Sequence, residues 1–371
     1  MLVLGTRPEA IKMAPVITAL RMRESFEVSV CVTAQHRSML DSVLNLFEIK
    51  PNFDLDLMRN GQSLGGLTQN ILAGMEEVFQ SYMPDMVLVH GDTTTALGAA
   101  LAAFYHKIDV GHIEAGLRTG NIYSPWPEEI NRKVISGIAR LHFAPTNASK
   151  DNLILENIAI NKIFVTGNTV IDSLMITVDK IDSSYELRTH LESKFSFLDG
   201  RKKLILVTGH RRENLGYGFE SICEALKTLA RRNDVQIVYP VHLNPSVRET
   251  IERNLLGYQN IFLIEPQDYL QFIYLMKISY LILTDSGGIQ EEAPSLKKPV
   301  LILRNETERP EVISSGAAKL VGTDDIKIVS EVEQLLVDSD CYNQMANAGN
   351  PYGSGVSSKI IATIISSYLE K

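Results

Sequence analysis

Along this chain, short apolar runs rich in β-branched residues alternate with longer stretches whose apolar positions recur every three to four residues. The short runs predict strands at 28–33, 86–90, 110–114, 141–144 and 163–166, and a second series at 203–208, 236–240, 261–264, 280–284 and 300–303. The longer stretches predict helices, among them 67–80, 94–106, 128–139, 218–231 and 244–255. A further strand of only a few residues precedes Gly5. Strands that are apolar throughout are buried on both faces, and in a strand–helix alternation this means parallel sheets covered by helices on either side. The two series therefore predict an α/β protein of two Rossmann-like domains, 1–168 and 169–354, with the last helix, 355–371, returning to the first. The polar, mixed segment 179–199 reads as a surface or inter-domain excursion. In open parallel sheets, ligands bind beyond the C-terminal ends of the strands. The strand-end loops, and a cleft between the two domains, are where chemistry is expected.

Composition narrows this picture. A length of 371 residues exceeds one ordinary core and suits two, and 45% hydrophobic with 22% charged residues is ordinary for a globular chain. A net charge of −8 argues against nucleic acid as a partner, so an anionic ligand would need local cations. Cys31, Cys223 and Cys341 are far apart, lack CxxC spacing and are odd in number, which fits a reducing cytoplasm better than a disulfide framework. The N-terminal residues do not read as a signal peptide, and no apolar run approaches the roughly 20 residues needed to span a bilayer, so no membrane partner is expected.

Several strand-end loops carry candidate chemistry. Gly5-Thr6-Arg7-Pro8-Glu9-Ala10-Ile11-Lys12 is a glycine turn leading into a helix with two cations, an arrangement that attracts phosphate, although a plain βα turn reads the same way. Thr284-Asp285-Ser286-Gly287-Gly288 follows a clear strand, and its glycines let backbone N–H groups approach a diphosphate. Ser286 is suited to a helix cap or a phosphate contact, and Glu292 to accepting from ribose hydroxyls. The acidic loops His90-Gly91-Asp92, His112-Ile113-Glu114 and Pro127-Glu128-Glu129 place three carboxylates at strand ends or helix starts. Clustered carboxylates can hold raised pKa values, which suits general acid–base work. Asp92 could instead cap the helix that follows, and Glu128 could serve the helix dipole with Pro127 at its first position. Glu114 is harder to dismiss, because a charge that ends an apolar strand is costly without a purpose. Gly209-His210-Arg211-Arg212 adds an acid–base or phosphate-binding group with two cations. There is no HExxH, no paired Cys/His spacing and no Gly-x-Ser-x-Gly elbow, so neither a metal site nor a serine hydrolase is indicated.

These residues together resemble one family. Segments 5–15, 33–37, 90–95, 111–132, 166–169, 208–213, 240–245 and 285–299 are similar, in order and over nearly the whole chain, to the non-hydrolysing bacterial UDP-N-acetylglucosamine 2-epimerases. The resemblance implies a glycosyltransferase-B-type fold with the active site in the inter-domain cleft, a homodimer, and UDP held mainly by the C-terminal domain. It also implies that Asp92, Glu114, Glu128 and His210 are the acid–base and catalytic positions. Arg7, Lys12 and Arg132 would meet the nucleotide-sugar, Gln267 and Phe272 the uracil, Ser286, Gly287, Gly288 and Glu292 the diphosphate and ribose, and Arg309 a further part of the ligand. Gln35, His36 and Arg211 lie in segments associated with a second, activating nucleotide-sugar site. Relatives have a slightly longer first strand.

The chemistry implied is inversion at C2 of the sugar. That proton is not adjacent to a carbonyl, and no Gly-x-Gly-x-x-Gly with an acid about 20 residues on is present to bind a nicotinamide. The remaining route loses UDP first, removes the C2 proton to give 2-acetamidoglucal, and adds UDP back after protonation on the other face. It uses no cofactor and needs two acid–base groups and cations on the leaving phosphate. Glu114 with Glu128 or Asp92 would divide the proton work, and the product would feed surface polysaccharide synthesis. A hydrolysing relative that releases free N-acetylmannosamine, a glycosyltransferase on the same fold and a nucleotide-sugar sensor without turnover are the competing readings.

Overall fold

The computed structural model describes residues 1–34, 37–57, 59, 61–211, 214 and 216–370, and for 37–39 only the backbone. The chain divides into two compact units, residues 1–173 with 352–371, and residues 174–351. The first unit holds β1 (Leu2–Leu4), β2 (Val30–Val32), β3 (Phe53–Asp54), β4 (Met86–His90), β5 (Asp109–Ile113), β6 (Leu141–Ala144) and β7 (Ile163–Val165), all paired in parallel in the order β3-β2-β1-β4-β5-β6-β7. The second holds β8 (Lys203–Thr208), β9 (Val235–Pro240), β10 (Ile261–Ile264), β11 (Leu281–Thr284), β12 (Val300–Ile302) and β13 (Ala318–Leu320), again parallel, in the order β10-β9-β8-β11-β12-β13. In each sheet the chain starts at the centre, winds outward, and returns to continue on the other side. The strand order therefore reverses between β1 and β4 in one unit and between β8 and β11 in the other. At such a reversal the loops diverge above and below the sheet and leave a crevice.

The continuous apolar strands are buried as expected. In the first unit, Val87 and Val89 of β4 pack with Ile71, Met75 and Phe79 of helix Leu64–Ser81 and with the alanines of helix Thr94–Tyr105. In the second, Val207, Ile237, Tyr239, Leu283 and Leu301 pack with Phe219, Ile222 and Leu226 of helix Tyr217–Leu229 and with Ile328 and Val332 of helix Asp325–Val337. Each fully buried side chain of this kind contributes about 1.5–3 kcal/mol, so each unit has an apolar core of its own.

Two features were not read from the sequence. Segment 179–199 is mostly helical: helix Thr169–Ser183 runs into it, and helix Tyr185–Lys194 follows, capped by Ser184, whose side chain accepts from the backbone N–H of Leu187. Its buried apolar anchors, Ile181, Leu191 and Phe195, are too sparse to show as periodicity against the charged face. Strands β3 and β13, two and three residues long at sheet edges, have no pattern of their own to read.

The terminal helix Ser357–Leu369 packs on helix Arg7–Arg21. Its first turn is held by the buried Asp172, which accepts from the backbone N–H of Ser357 (3.2 Å), and from the N–H (2.8 Å) and hydroxyl (2.6 Å) of Ser358. Its far end is tied by the Tyr368 hydroxyl, which donates to Asp109 at 2.7 Å. Among the described residues, no helix is long and apolar enough to cross a membrane.

Candidate active site

The first unit gathers its polar groups beyond β1, β4 and β5. Thr6 caps helix Arg7–Arg21 and Glu9 closes a capping box with it. Glu9 does more than cap. Its buried carboxylate accepts from the N–H groups of Gly5 (3.0 Å) and Thr6 (2.8 Å), from the Thr6 hydroxyl (2.8 Å), and from the hydroxyl of Thr93 beyond β4 (2.6 Å). Burial pushes the Glu9 carboxyl above its ordinary pKa, and these hydrogen bonds oppose the rise. The clamp joins the two loops that flank the strand-order reversal. Gly5 is required there, because a Cβ would strike the hydroxyls of Thr33 and Thr95, which bond each other at 2.9 Å.

Glu114 follows β5 with φ +61°, a left-handed backbone that a glutamate seldom adopts. Lys12 donates to its Oε2 and Asn168 Nδ2 donates to the same oxygen at 2.8 Å, while His90 Nε2 lies 3.7 Å away. Burial alone would raise the Glu114 carboxyl, but Lys12, then His90, and the hydrogen bonds from Lys12 and Asn168 outweigh it and hold the pKa below the carboxylate range. The expectation of a pKa raised by clustered carboxylates is therefore corrected for Glu114: its close neighbours are cations and amides. Behind it, the buried His112 donates from Nε2 to the Gly91 carbonyl at 2.7 Å, and burial keeps its imidazole neutral, with a pKa of about 3.

Asp92 does not cap the next helix. Thr93 does, accepting from Ala96 N–H, and this frees the Asp92 carboxylate to pair with Arg132 (2.6 Å to Nη2 and 2.8 Å to Nε). Arg132 also donates to Glu129 at 3.1 Å, and the buried Glu129 in turn takes the backbone N–H groups of Thr119 and Gly120. Glu128 opens helix Glu128–Ile138 with Pro127 at the N-cap rather than inside the helix. Its Oε2 is buried and has no hydrogen-bond partner among the described residues. Arg7 is half-buried at the first position of helix Arg7–Arg21.

The second unit repeats the arrangement beyond β8 and β11. The hydroxyls of Thr208 and Thr284, register partners, lie 2.6 Å apart. The next residue, Asp285, is fully buried and accepts the backbone N–H groups of His210 and Arg211, each at 2.9 Å. As with Glu9, one buried carboxylate joins the loops on either side of the reversal. Ser286 stands at the N-cap of helix Gly287–Glu292, yet its side chain makes no capping bond. A Cβ on Gly287 would meet the guanidinium of Arg309, which donates from Nε to the buried Glu291 at 2.7 Å; Gly288 has open space around it. Glu292 accepts from the Tyr269 hydroxyl at 2.7 Å, which ties the segment carrying Gln267 and the half-buried Phe272 to this loop. Gln267 itself donates to the carbonyl of Glu265 at 2.5 Å. His242 is exposed, stacked on His210 with ring centroids 5.6 Å apart, and accepts from Asn244 N–H.

The structure thus brings Lys12, Glu114 and His90 together, pairs Asp92 with Arg132, and sets His210 and Arg211 beside the Ser286 loop. Gln35, His36 and Arg212 lie outside the described residues. Sequence reasoning passed over Glu9, Asn168, Asp285 and Glu129. Glu9 was legible, since Thr6-x-x-Glu9 is a capping-box pattern; Asn168 and Asp285 act through contacts 54 and 75 residues away, and Glu129 through a loop fold, at Thr119 and Gly120, that no local pattern announces. Among the described residues, no group of three or more His, Cys, Asp or Glu is placed to hold a metal ion.

A family model described as UDP-N-acetylglucosamine 2-epimerase matches residues 18–366 of this chain. The UDP-N-acetylglucosamine 2-epimerase of Yersinia pestis is 60% identical over 354 residues, which cover 95% of this chain and 94% of the relative. The solved structure of the UDP-GlcNAc 2-epimerase from Neisseria meningitidis bound to UDP-GlcNAc is 52% identical, with a TM-score of 0.91 over 100% of this chain and 99% of that one. A glycosyltransferase from Rickettsia africae, 15% identical with a TM-score of 0.64 over 100% of this chain and 98% of that one, shares the fold alone. The architecture is the glycosyltransferase-B type, built from two Rossmann-like domains.

Proposed function

This chain belongs to the UDP-N-acetylglucosamine 2-epimerase family, a family of isomerases, and from that premise we propose that it interconverts UDP-N-acetylglucosamine and UDP-N-acetylmannosamine. The bond between C1 and the β-phosphate oxygen breaks first, and its electron pair leaves with UDP. Positive charge at C1 acidifies C2–H. A carboxylate takes that proton, and the C–H electron pair becomes the C1=C2 double bond of 2-acetamidoglucal. A second group then delivers a proton to the opposite face of C2, and the UDP oxygen adds back to C1. The sum is redox-neutral, so the route calls for no hydride carrier.

The observation that carries this reading is Glu114: a half-buried carboxylate on a left-handed backbone at a strand end, held by Lys12 and Asn168. Glu114 and Glu128 divide the proton work. The Glu128 oxygen that has no hydrogen-bond partner among the described residues supports this, and the Asp92–Arg132 pair gives Asp92 the part of orienting Arg132 instead. Arg7, Lys12 and Arg132 meet the nucleotide-sugar, and His210 and Arg211 stabilise the departing diphosphate. Ser286, Gly287, Gly288 and Arg309 hold the diphosphate, Glu292 the ribose, and Gln267 with Phe272 the uracil. Stabilisation of a leaving phosphate by fixed donors is usually a large part of such catalysis. In this reading the first unit supplies the proton transfer and three cations for the nucleotide-sugar, and the second holds the uracil, ribose and diphosphate. The enzyme works in the cytoplasm as a homodimer and supplies surface polysaccharide synthesis.

The test is to incubate the protein with UDP-N-acetylglucosamine in D2O without added cofactor and follow it by NMR. The expected product is UDP-N-acetylmannosamine carrying deuterium at C2. Free N-acetylmannosamine would make the enzyme a hydrolysing one, and no sugar product at all would defeat the proposal.

A further inference from the structure

Asp285 takes no part in the route above, yet its carboxylate is fully buried and only half used. Oδ2 accepts from His210 N–H and Arg211 N–H at 2.9 Å and from Asn214 Nδ2 at 3.4 Å. Oδ1 is buried without a hydrogen-bond partner among the described residues, and it lies 3.3 Å from Nδ1 of His210. A buried ionised oxygen is costly without a donor, and the imidazole is the donor at hand. Catalytic hydrogen bonds are often long or poorly aligned before substrate binds, and the 3.3 Å separation is of that kind.

We propose that Asp285 is a positioning residue for His210: it keeps Nδ1 protonated, makes Nε2 the nitrogen that faces the ligand, and favours the imidazolium when a diphosphate arrives. The inference rests on the reading of His210 as the group that steadies the departing diphosphate. A carboxylate only accepts hydrogen bonds. With Nδ1–H committed to Asp285, any further proton must sit on Nε2. From there Nε2–H hydrogen-bonds the oxygen that leaves C1; no proton is transferred, and the C1–O electron pair goes to the diphosphate. The geometry is set by the sheet, because β8 and β11 are neighbours in register and Asp285 directly follows the bonded Thr208–Thr284 pair.

The surroundings of His210 explain why it needs such a partner. Burial works against its charged form, Asp285 works for it, and Arg211 and His242 work against it, so that on balance its pKa is lowered. His242 reaches it from the loop after β9, and Arg211 from its own loop. Tyr239 of β9, whose hydroxyl donates to the Gly209 carbonyl at 3.4 Å, stays neutral because burial and Asp285 raise its pKa. Glu308 is paired with Arg304 at 2.8 Å, and Arg211 also helps to lower its pKa. Asp285 is therefore the one contact among these that favours the cation.

The deciding variant is Asp285→Asn. Its carbonyl oxygen can keep the two backbone N–H donors while its NH2 group turns to Nδ1, which forces the Nε2–H tautomer and opposes the imidazolium. UDP affinity should stay within about threefold, and kcat should fall on the order of 10²- to 10³-fold with little change in KM. The decline of kcat with rising pH should move to lower pH, because the variant loses the protonated ring sooner. In a His210→Asn background, Asp285→Asn should cost little more. Independently of any variant, ¹⁵N NMR of histidine-labelled wild-type protein should show His210 protonated at Nδ1. A wild-type kcat and pH profile in Asp285→Asn, or an Nε2–H tautomer for His210 in the wild type, would overturn the inference. Wild-type protein inactive on UDP-N-acetylglucosamine would instead defeat the functional reading, and the NMR result would still decide the Asp285–His210 contact.

Discussion

Glu114 combines backbone strain with a paired charge. A left-handed backbone costs an L residue other than glycine about 1–2 kcal/mol. Here it turns the carboxylate to Lys12 and Asn168, where an extended residue would point elsewhere. Lys12 is also a cation proposed to meet the ligand. A phosphate that draws the ammonium away raises the proton affinity of Glu114 at the moment a base is needed. Replacing Glu114 by Gln should leave UDP binding intact and lower turnover about 10²- to 10⁴-fold, measured by steady-state kinetics beside calorimetric titration with UDP. A rate near wild type would remove Glu114 from the mechanism. The same residue has a stability signature. Its folded pKa is depressed, so its contribution is present above the ordinary carboxylate pKa and lost as pH falls through the lowered value. Thermal unfolding should place Glu114→Gln below wild type at about pH 7, with the gap closing in strong acid at about pH 2. Glu9 behaves oppositely: its folded pKa is raised, so its cost is absent in acid and grows as pH rises through that value.

Among the elements, helix ends do much of the placing. Thr6, Thr93, Asn244 and Asp268 cap helices that start at strand ends; all four are residue types that cap well, and at β4 the cap is Thr93 where the sequence had also offered Asp92. The caps fix which residue is first out of the loop, which is why Arg7 and Asp92 sit where they do. The terminal helix is held differently. Asp172, inside helix Thr169–Ser183, satisfies the first N–H groups of helix Ser357–Leu369 from 185 residues away in sequence. Asp172→Ala should lower stability by about 1–3 kcal/mol, because it leaves buried N–H groups without an acceptor. Hydrogen exchange should show the loss concentrated in residues 357–369 and in helix Arg7–Arg21, on which they pack. Uniform loss across both units would show that the capping contact is not local in its effect.

For the whole molecule, two sheets with the same strand-order reversal each place a buried carboxylate, Glu9 or Asp285, across the two loops at the reversal. The proposed homodimer draws support from Phe104, Tyr105, Ile130 and Val134, which are exposed on the neighbouring helices Thr94–Tyr105 and Glu128–Ile138. Sedimentation should find a dimer, and Tyr105→Glu with Val134→Asp should shift it toward monomer; an unchanged dimer would place the interface elsewhere. The hydrophobic pattern by itself determined the two α/β layers, most strands to within a residue or two, and the loops at strand ends, because burial on both faces writes a continuous apolar run into any parallel strand. The family resemblance, carried by motifs along nearly the whole chain, supplied the activity. The tertiary structure decided what no local pattern encodes: that Lys12 meets Glu114 across 102 residues, that Asn168 shares it, that Arg132 takes Asp92, and that Asp285 holds His210 across 75. Periodicity records which face of an element is buried. It does not record which polar group on one strand-end loop will find its partner on another, because that depends on the order in which the strands lie side by side.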